Sequence, residues 1–128
     1  MDESLFDRAL ARQVLTVRVE KPSSDVAVVV PAGDIDLVSA PLLLECAVPE
    51  LTGRGHLVVD LTEVAFLASR GVQALLELDD TARLHGCEVH LAGTPNRAVT
   101  RLLKIIGLGC AGEPAGDIAA HLAGRSPS

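Results

Sequence analysis

The chain predicts an α/β domain on a mixed, mainly parallel sheet of four to five strands, with an antiparallel strand at its N-terminal edge. Three observations carry this. Aliphatic runs of strand length recur, such as Val26 to Val30 and Leu57 to Leu61. Stretches with helical spacing separate them, and glycine or proline marks the joints.

From Val14 to Glu20 the residues alternate, with Leu15, Val17 and Val19 on one face and Thr16, Arg18 and Glu20 on the other, as in a half-buried strand. The polar turn Lys21 to Asp25 leads into Val26 to Val30, a β-branched run suited to a strand covered on both sides. The two form a hairpin with the first strand at the edge. After Gly33 and Asp34, Ser39 is placed to cap a helix that carries Pro41 in its first turn and Leu42, Leu43, Cys46 and Ala47 on its apolar side.

A second buried strand spans Leu57 to Leu61, and the segment through Ala68 reads as a loop. Gly71 to His85 has helical spacing, with Val72, Leu75, Leu78 and Ala82 as its stripe, Leu76 beside it and Asp79 intruding on the arc. Gly86 stops this helix, and Cys87 to Gly93 returns to strand alternation. Thr94 as N-cap, Pro95 at the first helical position and Gly107 as terminator bound a further helix. Its expected inward side is Ala98, Val99, Leu102, Leu103 and Ile106; Arg97, Arg101 and Lys104 face out. A short strand around Cys110, a helix from Asp117 to Ala123 and a frayed tail from Arg125 to Ser128 complete the reading.

At 128 residues the chain is long enough for one core and short for two. We expect a single domain over 1–128, with a core of about 14–112, an N-terminal extension 1–13 and a C-terminal helix and tail from 113. Only Phe6 and Phe66 are aromatic and the formal charge is −6, which leaves neither stacking platforms nor a basic field for nucleic acid. The N-terminus lacks a signal peptide's basic flank and apolar run. The longest apolar runs fall far short of the roughly 20 residues that span a bilayer. A cytoplasmic protein that binds neither nucleic acid nor membrane directly is expected, and the odd, scattered set Cys46, Cys87 and Cys110 fits reduced thiols.

The sequence contains no phosphate-cradling GxxxxGK[ST], no GxGxxG, no CxxC pair, no HExxH and no GxSxG. His85, Cys87 and His90 are zinc-type ligands, but a helix end and opposite faces of a strand are poor places for three groups to converge. Ser69 has no histidine within ten residues to serve as a base. No enzyme, cofactor or metal is expected, and the cysteines read as small buried side chains, with redox sensing the lesser alternative.

Two segments stand out together. Gly33-Asp34-Ile35-Asp36 lies between a buried strand and a helix, and Asp60 through Gly71 joins a strand to a helix start. If both loops leave the same ends of neighbouring strands, Asp36 and Ser69 share one edge of the sheet, where ligands of open α/β sheets gather.

In these residues the chain resembles the STAS family, the anti-sigma factor antagonists of bacteria, over about residues 14–112. The family's Gly-Glu-hydrophobic-Asp segment is matched by Gly33 to Asp36, and its Asp-Leu-Ser segment ending in Asp-Ser-Ser/Thr-Gly by Asp60 to Gly71; Pro95 and the Gly107-Leu108 pair match its late segment. The resemblance implies a STAS-like fold with helices packed on one side. It also implies a regulator that binds an anti-sigma factor, itself a serine kinase, and so frees a sigma factor for transcription.

The same resemblance implies a partner surface of Asp36, Ser69, Arg70 and Gly71. In typical members the second hydroxyl residue of the motif is phosphorylated, and the charge of roughly −1.5 to −2 breaks the contact. This chain departs there: Ala68 stands at the family's Asp, Ser69 at its first Ser and Arg70 at the phosphoacceptor. Ser69 is the remaining phosphorylation candidate, one position early, beside the commoner role of a serine at a helix start as cap or loop ligand. Arg70 puts a permanent cation where the switch belongs, so the usual phosphorylation cycle is expected to be missing. An accessory subunit of a lipid or anion transport complex, and a nucleotide- or small-ligand-sensing domain, are the alternatives.

Overall fold

The computed structural model of the chain describes residues 10–110 and 112–125. Most of the acidic N-terminal extension and the tail beyond residue 125 lie outside them. A helical stretch at 10–14 precedes β1 (Leu15–Glu20), which pairs antiparallel with the ten-residue β2 (Val26–Ile35). The hairpin is the expected one, with β1 at the edge of the sheet.

Beyond it the sheet is parallel. β3 (His56–Asp60) lies along the first half of β2, and β5 (Glu88–Ala92) lies along β3, giving the order β1-β2-β3-β5. The second half of β2 takes a different partner, β4 (Val64–Leu67), with Gly33 opposite Val64 and Ile35 opposite Leu67. This strand replaces the expected loop. It has four residues, Val64 and Leu67 buried and Ala65 and Phe66 exposed, and the register shifts between Gly33 and Asp34. That bulge breaks the two-residue alternation by which a strand is read.

The helices are α1 (Ala40–Ala47), continued by a 3₁₀ turn (Val48–Leu51), α2 (Ser69–Leu84), α3 (Arg97–Ile105) and α4 (Ala115–Arg125). The first three pack on one face. Leu43, Leu51, Leu75, Leu78, Val99 and Leu103 meet Ala27, Val29, Leu57 and Val59 there in the main core. The intervening strand residues Val26, Val28, Val30, Val58 and Ala92 face the other way and are covered by Ala115, Ala119 and Leu122 of α4. One-sided packing therefore holds for α1 to α3 but not for α4. The aliphatic run in β2 already demanded cover on both sides.

Helix stops fall where glycine predicts them. At the end of α2 the Gly86 amide donates to the Arg83 carbonyl and the Cys87 amide to the Ala82 carbonyl, with Gly86 at φ +69°. Gly107 repeats the pattern after α3, donating to Lys104 O while Leu108 N donates to Leu103 O, so both ends are glycine-closed caps that satisfy orphan carbonyls.

Helix starts are less faithful. Asn96, not Thr94, caps α3, its Oδ1 accepting from Val99 N at 2.9 Å, because the Thr94 amide is held by Thr62 Oγ1 at 2.9 Å on the β3–β4 turn. The helix has nine residues, and Ala98 and Ile106, expected inside, are exposed. Asp79 ends half-buried, paired with Arg83 at 2.9 Å one turn on.

Candidate functional site

The two motif segments do meet, through β4. The amide of Ala68, one residue past β4, donates to the carbonyl of Ile35, the last residue of β2, at 2.9 Å. Asp36 and Ser69 therefore leave from adjacent strand ends, as the reading of the loops expected, with β4 supplying the neighbour.

Two glycines permit this approach. Gly33 sits at φ +118° between Leu15 of β1 and Val64 of β4, where a Cβ would strike the Val14 carbonyl oxygen; its amide donates to Glu63 O at 3.0 Å. Gly71, in the first turn of α2, is buried against Ile35 and Leu67. It brings the helix down onto the strand ends and does not itself reach the surface.

Asp36 organises the loop that follows β2. Its Oδ1 accepts from the amides of Val38 and Ser39, both at 3.0 Å, and its carbonyl accepts from Ala40 N at 2.8 Å. The residue thus takes the capping role expected of Ser39, one turn earlier. Ser39 is fully buried instead: its hydroxyl donates to the Asp34 carbonyl at 2.6 Å and accepts from Asp36 N at 2.9 Å. Asp36 Oδ2 has no partner among the described residues and is open to one from outside.

Ser69 is exposed and is the first residue of α2. Ala68 occupies the N-cap position, so the expected capping by Ser69 is not made, and its hydroxyl has no partner among the described residues. A serine inside the first turn has already adopted helical backbone angles, which aim its oxygen away from the amides a cap would reach. Arg70 is half-buried and lies back along its own helix, 3.7 Å from Glu77. A cation at a helix N-terminus opposes the helix dipole, and Glu77 offsets this by less than about 1 kcal/mol at such exposure.

Exposed apolar side chains neighbour these polar groups in sequence: Leu37 and Val38 follow Asp36, and Phe66 in β4 fills one of the motif's hydrophobic positions. Leu37 is 73% exposed and Phe66 56% exposed, and Val38 is also open. Charge matching passes over them and the motif asks of Phe66 only that it be hydrophobic; that Phe66 is half of the chain's aromatic content was the available signal. The rest of the long motif is architectural. Asp60 Oδ1 accepts from Thr62 N at 3.0 Å, and Asn96 Nδ2 donates to Ala65 O at 3.0 Å, tying the start of α3 to β4.

The histidine and cysteine set behaves differently from its spacing. His85 Nδ1 pairs with the Thr81 carbonyl at 2.9 Å, and Cys87 lies in the main core, where burial pushes its thiol pKa up, Asp25 adding to the effect and Arg54 opposing it. Burial likewise raises Cys46. Both thiols are held away from the thiolate form that reactivity needs. His90 gathers with His56 and Glu88 instead.

Among solved structures, the anti-sigma factor antagonist SpoIIAA in its unphosphorylated form superposes with a TM-score of 0.75 at 14% identity, over 88% of this chain and 100% of that one. An anti-sigma factor antagonist from Mycobacterium paratuberculosis gives 0.68 at 28% identity, over 84% and 92%. Part of the murine anion transporter Slc26a9 also matches, with a TM-score of 0.59 at 13% identity, over 80% of this chain and 20% of the transporter. No helix among the described residues is long and apolar enough to cross a membrane. The family model described as "Mlab, STAS domain" matches residues 17–110, and with the strand-end geometry of its motif the chain belongs to the STAS domain family.

Proposed function

We propose that the protein is an anti-sigma factor antagonist, a cytoplasmic binding protein that engages a serine kinase-like anti-sigma factor and thereby releases a sigma factor for transcription. The observation that carries this reading is the joint presentation of Asp36 and Ser69-Arg70 from adjacent strand ends, flanked by exposed Leu37, Val38 and Phe66. Exposed apolar side chains beside a few polar groups are the composition of a protein-binding patch. The antagonists among the structural relatives support the same reading.

Arg70 sets this copy apart. Its guanidinium already faces one carboxylate, Glu77, across a weak exposed contact. Exchange for a partner's carboxylate or nucleotide phosphate costs little and gains a bidentate geometry. With Arg70 at the acceptor position the partner is held without the phosphorylation cycle. We read the site as a binding surface: among the described residues no base is paired with the Ser69 hydroxyl.

A native pulldown with partners identified by mass spectrometry, and the bait's intact mass read in the same run, tests this. Capture of a kinase-like anti-sigma factor on unmodified bait is expected, and Arg70→Ser should alter affinity or acquire a phosphate. Copurification with transporter subunits would replace the reading with that of a transport accessory domain. An Arg70→Ser variant with unchanged affinity and mass would remove the locked switch.

A further inference from the structure

At the opposite end of the parallel strands from Asp36 and Ser69 lies a group that the docking surface does not use. His56 opens β3, and Glu88 and His90 lie at the start of β5. In the parallel register His56 stands opposite Glu88 and Val58 opposite His90, so all three side chains emerge on the sheet face that α4 partly covers. His56 Nδ1 and His90 Nε2 are 3.0 Å apart, with ring centroids 5.2 Å apart and planes tilted by 41°. One ligand atom from each of the three residues falls within 4.8 Å of the others.

We propose that His56 Nδ1, His90 Nε2 and a Glu88 carboxylate oxygen form a site for one divalent transition-metal ion of the zinc class. Two ligands about 2.0–2.1 Å from a tetrahedral ion stand roughly 3.3–3.4 Å from each other. To admit it the two imidazole nitrogens open by a few tenths of an ångström and give up the proton of the hydrogen bond between them, each ring keeping its proton on the other nitrogen. Glu88 is exposed and free to swing its carboxylate inward. Two imidazoles and one carboxylate are a zinc ligand set that leaves a fourth position for water.

Burial lowers the pKa of His90, with Glu88 opposing and His56 adding to the shift. His90 also lines an open groove that Glu113 and His121 share. Such an ion would staple β3 to β5.

The test uses tag-free, chelator-stripped protein titrated with zinc sulfate by calorimetry, together with nitrogen-15 spectra of the histidine side chains. Binding of one zinc per chain is expected, with the Nδ1 resonance of His56 and the Nε2 resonance of His90 shifting together and the thermal midpoint rising. His56→Ala and His90→Ala should each weaken binding beyond the roughly 10–100-fold typical of losing an outer-shell partner. Glu88→Gln should weaken it, and His85→Ala and the double variant Cys46→Ser/Cys110→Ser should leave it unchanged. No zinc binding by the wild type, binding that survives both histidine substitutions, or binding lost with the cysteines would overturn the site. The spectra read the ligands in the unaltered chain, so the answer does not rest on the variants' folding.

Discussion

Replacing Gly71 by alanine isolates the contact that brings the two motif segments together. In an ordinary helix the change stabilises, by up to about 1 kcal/mol. Here an ideal Cβ would stand 2.5 Å from the Ile35 carbonyl oxygen and 2.7 Å from Leu67 Cδ1. The carbonyl cannot step aside freely, because it also accepts the Ala68 amide at 2.9 Å. Overpacking of this kind costs about 1–3 kcal/mol, and a weakened hydrogen bond adds about 0.5–1.5. Set against the propensity gain, the net loss is about 1–3 kcal/mol, or roughly 3–5 °C in thermal midpoint per kcal/mol for a chain of this size. Urea unfolding followed by circular dichroism measures it. Gly116→Ala in α4, where a Cβ meets nothing within 4 Å, is the internal control and should gain a few tenths of a kcal/mol. If Gly71→Ala proved as stable as Gly116→Ala, the close approach of α2 to the strand ends would be refuted.

Other substitutions separate scaffold from surface. Ser39→Ala should lose about 1–3 kcal/mol, since the half-buried Asp34 carbonyl and Asp36 amide both lose the hydroxyl of the fully buried Ser39; denaturant titration reads this. Phe66→Ala should weaken capture of the proposed anti-sigma partner in a pulldown while changing stability by no more than about 0.5 kcal/mol, because the ring is exposed. Cys87 supplies a pH dependence. Its folded pKa lies above the usual 9.0, so the unfolded chain releases the thiol proton first; its stabilising contribution is full below that value and fades as pH rises through the folded one. Chemical denaturation between pH 8 and 10 should show a decline that Cys87→Ala flattens.

The hairpin, the buried strands and the glycine stops of α2 and α3 were legible because each rests on local chemistry: alternation along β1, an aliphatic run in β2, left-handed Gly86 and Gly107. What escaped was set at a distance. β4 has only four residues and owes its existence to a shifted register with β2. The cap of α3 moved to Asn96 because Thr94 is claimed by Thr62, 32 residues earlier. Asp36 and Ser69 were correctly placed together from the order of strands and loops, yet the bond that joins them, Ala68 to Ile35, belongs to the unseen strand. His56 and His90 are separated by 34 residues, and only the pairing of β3 with β5 makes them neighbours.

The C-terminal helix lies beyond the segment by which the family is recognised, which ends at residue 110. A fragment trimmed to that boundary would leave Val26, Val28, Val30 and Val58 without their lid of Ala115, Ala119 and Leu122. Four valines on adjoining parallel strands make a flat, dry, adhesive plane of the kind that recruits neighbouring molecules. α4 thus acts as a solubility device, and a chain cut before it should precipitate while the strand ends at Asp36 and Ser69 keep their contact.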